Sequence, residues 1–288
     1  MFAGFTATTI DTGAVRFALR HAGAGPALLL LHGYPQCHLA WHAVAPLLVD
    51  EFTVVVPDLP GYGASRGRGP DAEHRHHSKR TMAADLVALM TALGHTRFGV
   101  AGHDRGGRVG YRMALDRPAE VSRLCAVDLV PTFDMWKNMD GSAALRAFHW
   151  LFLAQPAPFP EQLLAAAPDA FLDRLLASWA GRGATLDPAA VAEYRRHHHE
   201  PDVITAMCED YRAGATVDRD DDRADREAGR RIACPVLALW GRQYLGKSPL
   251  ETWRVWADDV REVALDCGHF IAEEQPEACA AALREFFR

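Results

Sequence analysis

The segment Gly102-His103-Asp104-Arg105-Gly106 constrains the fold of this chain more than any other. A central nucleophile with small residues two positions away on each side marks a sharp turn from a strand into a helix, because the strained turn leaves no room for larger side chains. The mostly apolar stretch 97–101 predicts the strand, and residues 107–116 predict the helix. We therefore expect a strand–nucleophile–helix unit within an α/β fold.

The residue at the centre of this turn is an aspartate, Asp104, where a serine is usual. A carboxylic acid with a pKa near 4 is ionised at neutral pH, so this residue can attack carbon without a base to remove its proton. A base is needed only afterwards, to activate water against the resulting ester. The sequence thus predicts a covalent ester intermediate on Asp104.

Length and composition limit the class of protein. The 288 residues suffice for one large core with an inserted subdomain, and 49% hydrophobic with 24% charged residues is ordinary for a globular chain. No apolar run approaches the length of a membrane span, so we expect a cytoplasmic enzyme without a membrane partner. The six cysteines lack paired spacing, which favours free thiols. A net charge of −6 argues against a nucleic-acid partner and requires local arginines for any anionic substrate.

Short apolar runs alternate with helical stretches along most of the chain. This alternation predicts a mostly parallel sheet flanked by helices. The alternation of strands and helices stops between residues 132 and 222, where Ala, Leu, aromatic residues and prolines indicate several short helices. We expect a core domain formed by residues 1–131 and 223–288, with 132–222 inserted after the sixth strand as a helical cap over the carboxyl ends of the strands. Six strands are predicted, at 27–31, 52–56, 98–101, 124–130, 235–240 and 260–265, and of these 124–130 is numbered the sixth strand and 235–240 the seventh.

Chain order indicates partners for Asp104. Hydrolases with this turn carry nucleophile, acid and histidine in that order, with the histidine after the last strand, which is the position of His269. The turn after the seventh strand, 240–245, contains no carboxylate. Asp128 instead interrupts an apolar run after the sixth strand, and it needs a donor such as the His269 imidazole because an unpaired buried charge is costly. A capping role for Asp128 and a packed or solvated His269 are the alternatives.

Two arginines, Arg105 and Arg108, follow the nucleophile on one face of the predicted helix. Cations are unfavourable at a helix N-terminus, so their position indicates an anionic ligand. Two guanidinium groups can hold a carboxylate in a fixed geometry. The alternative is that Arg108 is solvated or pairs with Asp116 or Asp128.

The predicted cap contributes aromatic and imidazole donors in apolar surroundings, at His149, Trp150 and Tyr211. Neighbouring helical residues diverge by about 100°, so His149 and Trp150 reach one site only near a helix end or above a cavity. Taken alone, aromatic and imidazole side chains in such surroundings more often belong to the hydrophobic core than to a binding site. The histidine-rich runs 74–77 and 197–199 lack the spacing of a metal site, so we expect them to be solvated and predict no metal.

Together these motifs resemble the fluoroacetate (haloacetate) dehalogenases, which belong to the aspartate-nucleophile branch of the α/β-hydrolase fold. The segment 32–36, with Tyr34 where Phe is common, resembles the family's oxyanion loop, and 58–63 resembles its post-strand turn. Epoxide hydrolases share both. The more specific resemblance lies in 102–108, 112–116, 149–150 and 210–214. The segments 66–80 and 216–218, with the acidic run that follows, are less similar to the family.

The resemblance implies hydrolysis of 2-haloacids, such as fluoroacetate, to a 2-hydroxy acid and halide, without cofactor or metal, by a homodimer. It assigns a role to each candidate residue: Asp104 as nucleophile, His269 as base, Asp128 as its orienting acid, Tyr34 in the oxyanion loop, Arg105 and Arg108 on the substrate carboxylate, and His149, Trp150 and Tyr211 on the halide.

Other functions remain open. An epoxide hydrolase would use the same Asp104, Asp128 and His269, with Tyr194 and Tyr211 directed at the epoxide oxygen, and would leave the arginine pair without a role. A haloalkane dehalogenase typically has tryptophan where this chain has Arg105. A carboxylate-binding receptor on the same fold would retain these residues without turnover.

Overall fold

The computed structural model describes residues 1–288 and contains one eight-stranded sheet. The strands are β1 (Thr6–Asp11), β2 (Arg16–Ala22), β3 (Ala27–Leu31), β4 (Thr53–Pro57), β5 (Phe98–His103), β6 (Val121–Val127), β7 (Val236–Gly241) and β8 (Val260–Leu265). They lie in the order β1-β2-β4-β3-β5-β6-β7-β8. Only the β1–β2 and β2–β4 pairs are antiparallel. The predicted mostly parallel α/β fold is confirmed.

The central strands are apolar because helices cover both faces of the sheet. Leu28, Leu29, Leu30 and Leu31 of β3 have no exposed surface, as expected for a parallel strand covered on both sides. Strand β1, at one edge of the sheet, and its neighbour β2 were not among the six predicted strands. Strand β1 consists of exposed and partly buried residues, and β2 fully buries only Phe17 and Leu19, so neither contains a continuous apolar run.

Thirteen helices complete the fold. They are α1 (Lys79–Ala92), α2 (Arg105–Asp116), α3 (Thr132–Lys137), α4 (Gly141–Arg146), α5 (Phe148–Leu153), α6 (Phe159–Ala166), α7 (Pro168–Trp179), α8 (Pro188–His198), α9 (Pro201–Ala215), α10 (Val217–Glu227), α11 (Leu250–Arg254), α12 (Ile271–Glu274) and α13 (Pro276–Phe287). Helices α3 to α10 lie between β6 and β7, in the segment expected to form the cap. Helix α10 continues past residue 222 to Glu227.

Three side chains in the histidine-rich runs are buried, so the expectation that these runs are solvated was wrong for them. His77, His197 and His198 are each less than 5% exposed. The Nδ1 of His198 lies 2.8 Å from the Tyr194 carbonyl, and that of His197 lies 3.0 Å from Glu200. Helix packing buries His197 and His198 because only one face of α8 points to solvent, which the run of identical residues does not reveal.

All six cysteines are free, and all but Cys234 are buried. No helix combines the length and the apolar character that a membrane crossing requires. A cytoplasmic location and a homodimeric state stay predictions.

Candidate active site

The turn between β5 and α2 places Asp104 at the carboxyl edge of the sheet. Its backbone is in a strained region, with φ 45° and ψ −112°, which costs about 1–3 kcal/mol for a non-glycine residue. A Cβ on Gly102 would lie 2.5 Å from the Gly106 carbonyl oxygen, and one on Gly106 would lie 2.3 Å from the His32 carbonyl oxygen. Both glycines are therefore required for the turn to close against its neighbours.

The Asp104 carboxylate is buried and poised as an anion. The backbone N–H of Tyr34 donates to its Oδ1 over 3.2 Å. Burial opposes ionisation, but the charges of His269, Arg108 and Arg105 outweigh it and lower the pKa of Asp104 below its ordinary value. An ionised carboxylate could attack carbon at neutral pH without a base to remove its proton.

His269 and Asp128 form the expected hydrogen bond. The Nδ1–H of His269 donates to Asp128 Oδ2 over 2.5 Å, and the backbone N–H of Gly241 donates to the other carboxylate oxygen over 2.8 Å. Because Nδ1 is engaged, Nε2 is the nitrogen of His269 left to accept a proton. Burial lowers the pKa of His269 to about 4, so its imidazole is a free base at neutral pH.

Arg105 is held by a carboxylate to which the sequence analysis gave no role. Its Nε donates to Asp210 Oδ2 over 2.9 Å, and its Nη2 donates to Asp210 Oδ1 over 2.6 Å. Its Nη1 is buried without a partner. The guanidinium carbon lies 4.2 Å from the centre of the Tyr211 ring. The position of Asp210, directly before Tyr211, was the only sequence indication of this contact.

Arg108 points into the same region from the next turn of α2. Its Nη1 donates to the Val130 carbonyl over 2.9 Å, and its guanidinium carbon lies 4.5 Å from the centre of the Trp150 ring. Its Nε is buried without a partner. The proposed alternative pairing with Asp116 or Asp128 is absent, since Asp128 is occupied by His269 and Asp116 pairs with other arginines.

The three aromatic and imidazole donors of the cap meet around Tyr211. Its ring centre lies 5.6 Å from that of His149 and 5.8 Å from that of Trp150. His149 and Trp150 occupy the start of the short helix α5, the helix-end position that lets neighbouring residues reach one site. Burial lowers the pKa of His149 to about 3, so it is neutral, and raises the pKa of Tyr211, which keeps its proton.

Five polar atoms in this region are buried without a hydrogen-bond partner, which is rare in folded proteins. Seven other buried side-chain atoms also lack a partner, but these five belong to side chains that pack against one another beside Asp104, and this grouping points to a ligand. Four of them are hydrogen-bond donors, and the fifth, His149 Nδ1, is a donor in one tautomer. Such a set matches an acceptor-rich anion. The atoms are Tyr34 Oη, Arg105 Nη1, Arg108 Nε, His149 Nδ1 and Tyr211 Oη.

Two further aromatic residues lie beside His269, and the sequence gave no indication of them. The ring centre of Trp179, at the end of α7, lies 4.6 Å from that of His149 and 5.4 Å from that of His269. The ring centre of Tyr244 lies 4.2 Å from that of His269. Neither residue stands in a motif, so no local pattern distinguishes it from core.

One group outside this site has donors close enough for a metal, namely Cys37, His38 and Asp58. The Asp58 carboxylate already accepts from His38 Nδ1 over 2.8 Å, from the His38 backbone over 2.7 Å and from the Ala64 backbone over 2.8 Å. The hydrogen bonds explain this group without an ion.

Comparison with known proteins agrees with the fold. Residues 26–276 match the family model of the alpha/beta hydrolase fold. The chain belongs to the α/β-hydrolase family and is a hydrolase.

Within that family, the chain is 44% identical to a fluoroacetate dehalogenase from Burkholderia sp, covering 99% of this chain and 95% of the relative. This finding confirms the predicted family resemblance. The chain is also 32% identical to a soluble epoxide hydrolase from Corynebacterium sp. (strain C12), over 92% of this chain and 91% of the relative. The solved structure of ALR0039 from Nostoc sp PCC 7120 is 46% identical, with a TM-score of 0.96 over 99% of both chains.

Proposed function

We propose that this protein is a haloacetate dehalogenase, which converts 2-haloacids such as fluoroacetate or chloroacetate into 2-hydroxy acids and halide. The observation that carries the proposal is the set of unpartnered buried donors around an ionised aspartate. A carboxylate and a departing halide are both anions that accept hydrogen bonds, so one small substrate satisfies donors on both sides of Asp104. The similarity to the fluoroacetate dehalogenase supports the same conclusion.

In the first step, an Asp104 carboxylate oxygen attacks the α-carbon of the substrate from the side opposite the halogen. The carbon–halogen bond breaks, the halide keeps the electron pair, and the configuration at carbon inverts. Arg105 Nη1 and Arg108 hold the substrate carboxylate. His149, Trp150 and Tyr211 donate to the halide, whose charge grows in the transition state.

In the second step, His269 Nε2 takes a proton from water, and the resulting hydroxide attacks the Asp104 acyl carbon. The Tyr34 backbone N–H, which donates to Asp104 Oδ1 in the free protein, stabilises the oxyanion. The ester bond to the carboxyl carbon breaks, and the 2-hydroxy acid leaves with an oxygen that came from Asp104. The leaving alkoxide takes the proton from His269, and the regenerated Asp104 carboxyl releases its own proton to solvent, so each turnover yields halide, a hydroxy acid and a proton.

The epoxide hydrolase alternative is supported by the Corynebacterium relative. It would use Tyr194 with Tyr211, but the Tyr194 hydroxyl is engaged by Gln36 Nε2 over 3.4 Å. The epoxide hydrolase alternative also leaves Arg105 and Arg108 without a ligand, because an epoxide carries no carboxylate. A binding-only receptor would need neither the strained backbone of Asp104 nor a base hydrogen-bonded to an acid. Both alternatives therefore leave more of the site unexplained.

Halide release from fluoroacetate and chloroacetate, measured beside diol formation from a small epoxide, tests the proposal, with Asp104→Asn as the inactive control. We expect turnover of the haloacids only. A single turnover in ¹⁸O-labelled water, with enzyme in excess, should label Asp104 and leave the product hydroxyl unlabelled. Turnover of the epoxide in place of the haloacids would support the alternative, and binding of haloacids without halide release would support a receptor.

A further inference from the structure

A buried ion network lies directly behind Arg105. Its centre is the Asp210 carboxylate, which accepts from Arg105 Nε and Nη2, from the Tyr62 hydroxyl over 2.6 Å and from Lys79 Nζ. Each carboxylate oxygen receives two donors. Asp210 and Arg105 have no exposed surface, and Lys79 is 2% exposed. The network is therefore a fixed part of the interior.

Lys79 connects the core to the cap. It is the first residue of α1, and its Nζ also lies 3.3 Å from Asp218 Oδ2 on α10, whereas Asp210 belongs to α9. Its backbone N–H donates to Asp218 Oδ1 over 2.7 Å. A buried lysine is rare and costly unless it is paired. Lys79 therefore requires an explanation beyond surface charge.

The network determines which edge of Arg105 is free. Asp210 occupies Nε and Nη2, so Nη1 alone is left for a ligand. Lys79 and the Tyr62 hydroxyl occupy the remaining positions on both Asp210 oxygens. Without Lys79 and the Tyr62 hydroxyl, the Asp210 carboxylate could turn toward Arg105 Nη1. Asp210 would then neutralise the edge of Arg105 that is left for a ligand. With them, the orientation is fixed and Asp210's charge is shared among several donors.

We infer that Lys79 is a positioning residue for substrate carboxylate binding, acting through Asp210 on Arg105. The inference rests on the proposed role of Arg105. It explains why a lysine is buried at the start of α1, with its ammonium group paired to Asp210 and Asp218. It also assigns to the less family-like segment 66–80 a part in selecting anionic substrates.

The test measures glycolate binding to the full-length protein by calorimetry, and kcat and KM for chloroacetate. Lys79→Met should weaken glycolate binding and raise KM by about tenfold or more, the range of one charge-assisted hydrogen bond, with kcat within about threefold. Tyr62→Phe should act in the same direction with a smaller effect. The matched control is Arg80→Met, which removes the same charge from the next residue, an exposed side chain paired with Asp116 and Asp221. It should change neither quantity.

Glycolate binding by Lys79→Met as tight as that of the natural protein would overturn the inference, and so would a fall in kcat at unchanged KM. If Lys79→Met does not fold, Tyr62→Phe decides, and unchanged binding by that variant overturns the inference. Absence of glycolate binding by the natural protein overturns it as well. Failure of the proposed function looks different: glycolate binds and responds to Lys79→Met, but no haloacid releases halide.

Discussion

Asp128 and His269 are separated by 141 residues along the chain, yet their Oδ2 and Nδ1 atoms lie 2.5 Å apart. Asp128 follows β6 and His269 follows β8, so both residues stand at the carboxyl edge of the sheet. The hydrogen bond fixes the imidazole with Nε2 free. The geometry supports a base that acts on water after Asp104 has been alkylated.

Replacing the base should separate the two chemical steps. In His269→Asn, Asp104 remains able to attack carbon, but water is not activated, so the ester should accumulate. Mixing this variant with chloroacetate should release about one equivalent of chloride, with turnover slowed by a factor on the order of 10³ or more. Mass spectrometry should find a carboxymethyl group on Asp104. The control Asp104→Asn should show neither the burst nor the added mass, and a His269→Asn variant without an adduct would contradict the ester mechanism.

Arg108 should contribute mainly to the binding of the substrate carboxylate. Its buried Nε has no partner in the free protein. Arg108→Leu should raise KM for haloacetates by about 10- to 100-fold, the range of one hydrogen bond between charged groups. Steady-state kinetics measures this change. Arg117→Leu removes an equivalent charge from the exposed end of the same helix and should leave KM unchanged.

The Tyr211 hydroxyl should matter more for fluoride than for chloride. Fluoride concentrates its developing charge and depends more on hydrogen-bond donors, and the Tyr211 hydroxyl is free to donate. Tyr211→Phe keeps the ring against Arg105 and removes only the donor. We expect kcat for fluoroacetate to fall about 10- to 100-fold further than kcat for chloroacetate. Equal losses with both substrates would show that the hydroxyl does not serve the halide.

The acid limb of the activity profile should follow His269. Its reactive form is deprotonated, and burial lowers its pKa to about 4. Activity should therefore stay constant from neutral pH down to about 5 and decline as the pH falls through 4. Single-turnover hydrolysis of the preformed ester measures this step directly, and its inflection should lie no higher than about 4, because the ester removes the Asp104 charge that raises the pKa of His269. An inflection near 6.5, the ordinary value for histidine, would contradict a buried free base.

Stability should also fall in mild acid. Burial lowers the pKa of His32, His103, His198 and His269 to about 4. The unfolded chain, with pKa values near 6.5, binds protons before the folded protein does, so stability is full above pH 6.5 and is lost as the pH falls toward 4.

Between pH 6.5 and about 4, each of these histidines lowers the free energy of unfolding by up to about 1.4 kcal/mol for every unit by which the pH falls. Urea unfolding at pH 7.5, 6.0 and 5.0 measures the loss. His103→Gln removes one of these groups, whose Nε2 lies 2.8 Å from the His269 carbonyl. The variant should take up about one proton fewer on unfolding, so its unfolding free energy should depend less steeply on pH. An unfolding free energy independent of pH over this range would contradict the prediction.

The sequence by itself determined the features that depend on local pattern. The small residues around Asp104 specified the turn, and the apolar runs specified six strands of the sheet. Chain order indicated Asp128 and His269 before any contact was known. His149, Trp150 and Tyr211 were recognised as donors of the predicted cap, but only the resemblance gave them a role, because each is ordinary core composition when taken alone.

The tertiary structure decided which groups meet. The Arg105–Asp210 pair joins residues 105 positions apart, and Lys79 reaches Asp210 across 131 positions. No periodicity records such a contact, because a salt bridge between elements depends on how helices pack and not on the spacing within either one. Packing likewise buried His197 and His198, which the sequence alone presented as a polar run. Local chemistry is thus encoded along the chain, whereas charge pairing between elements and burial are decided only by how the helices pack against the sheet and against one another.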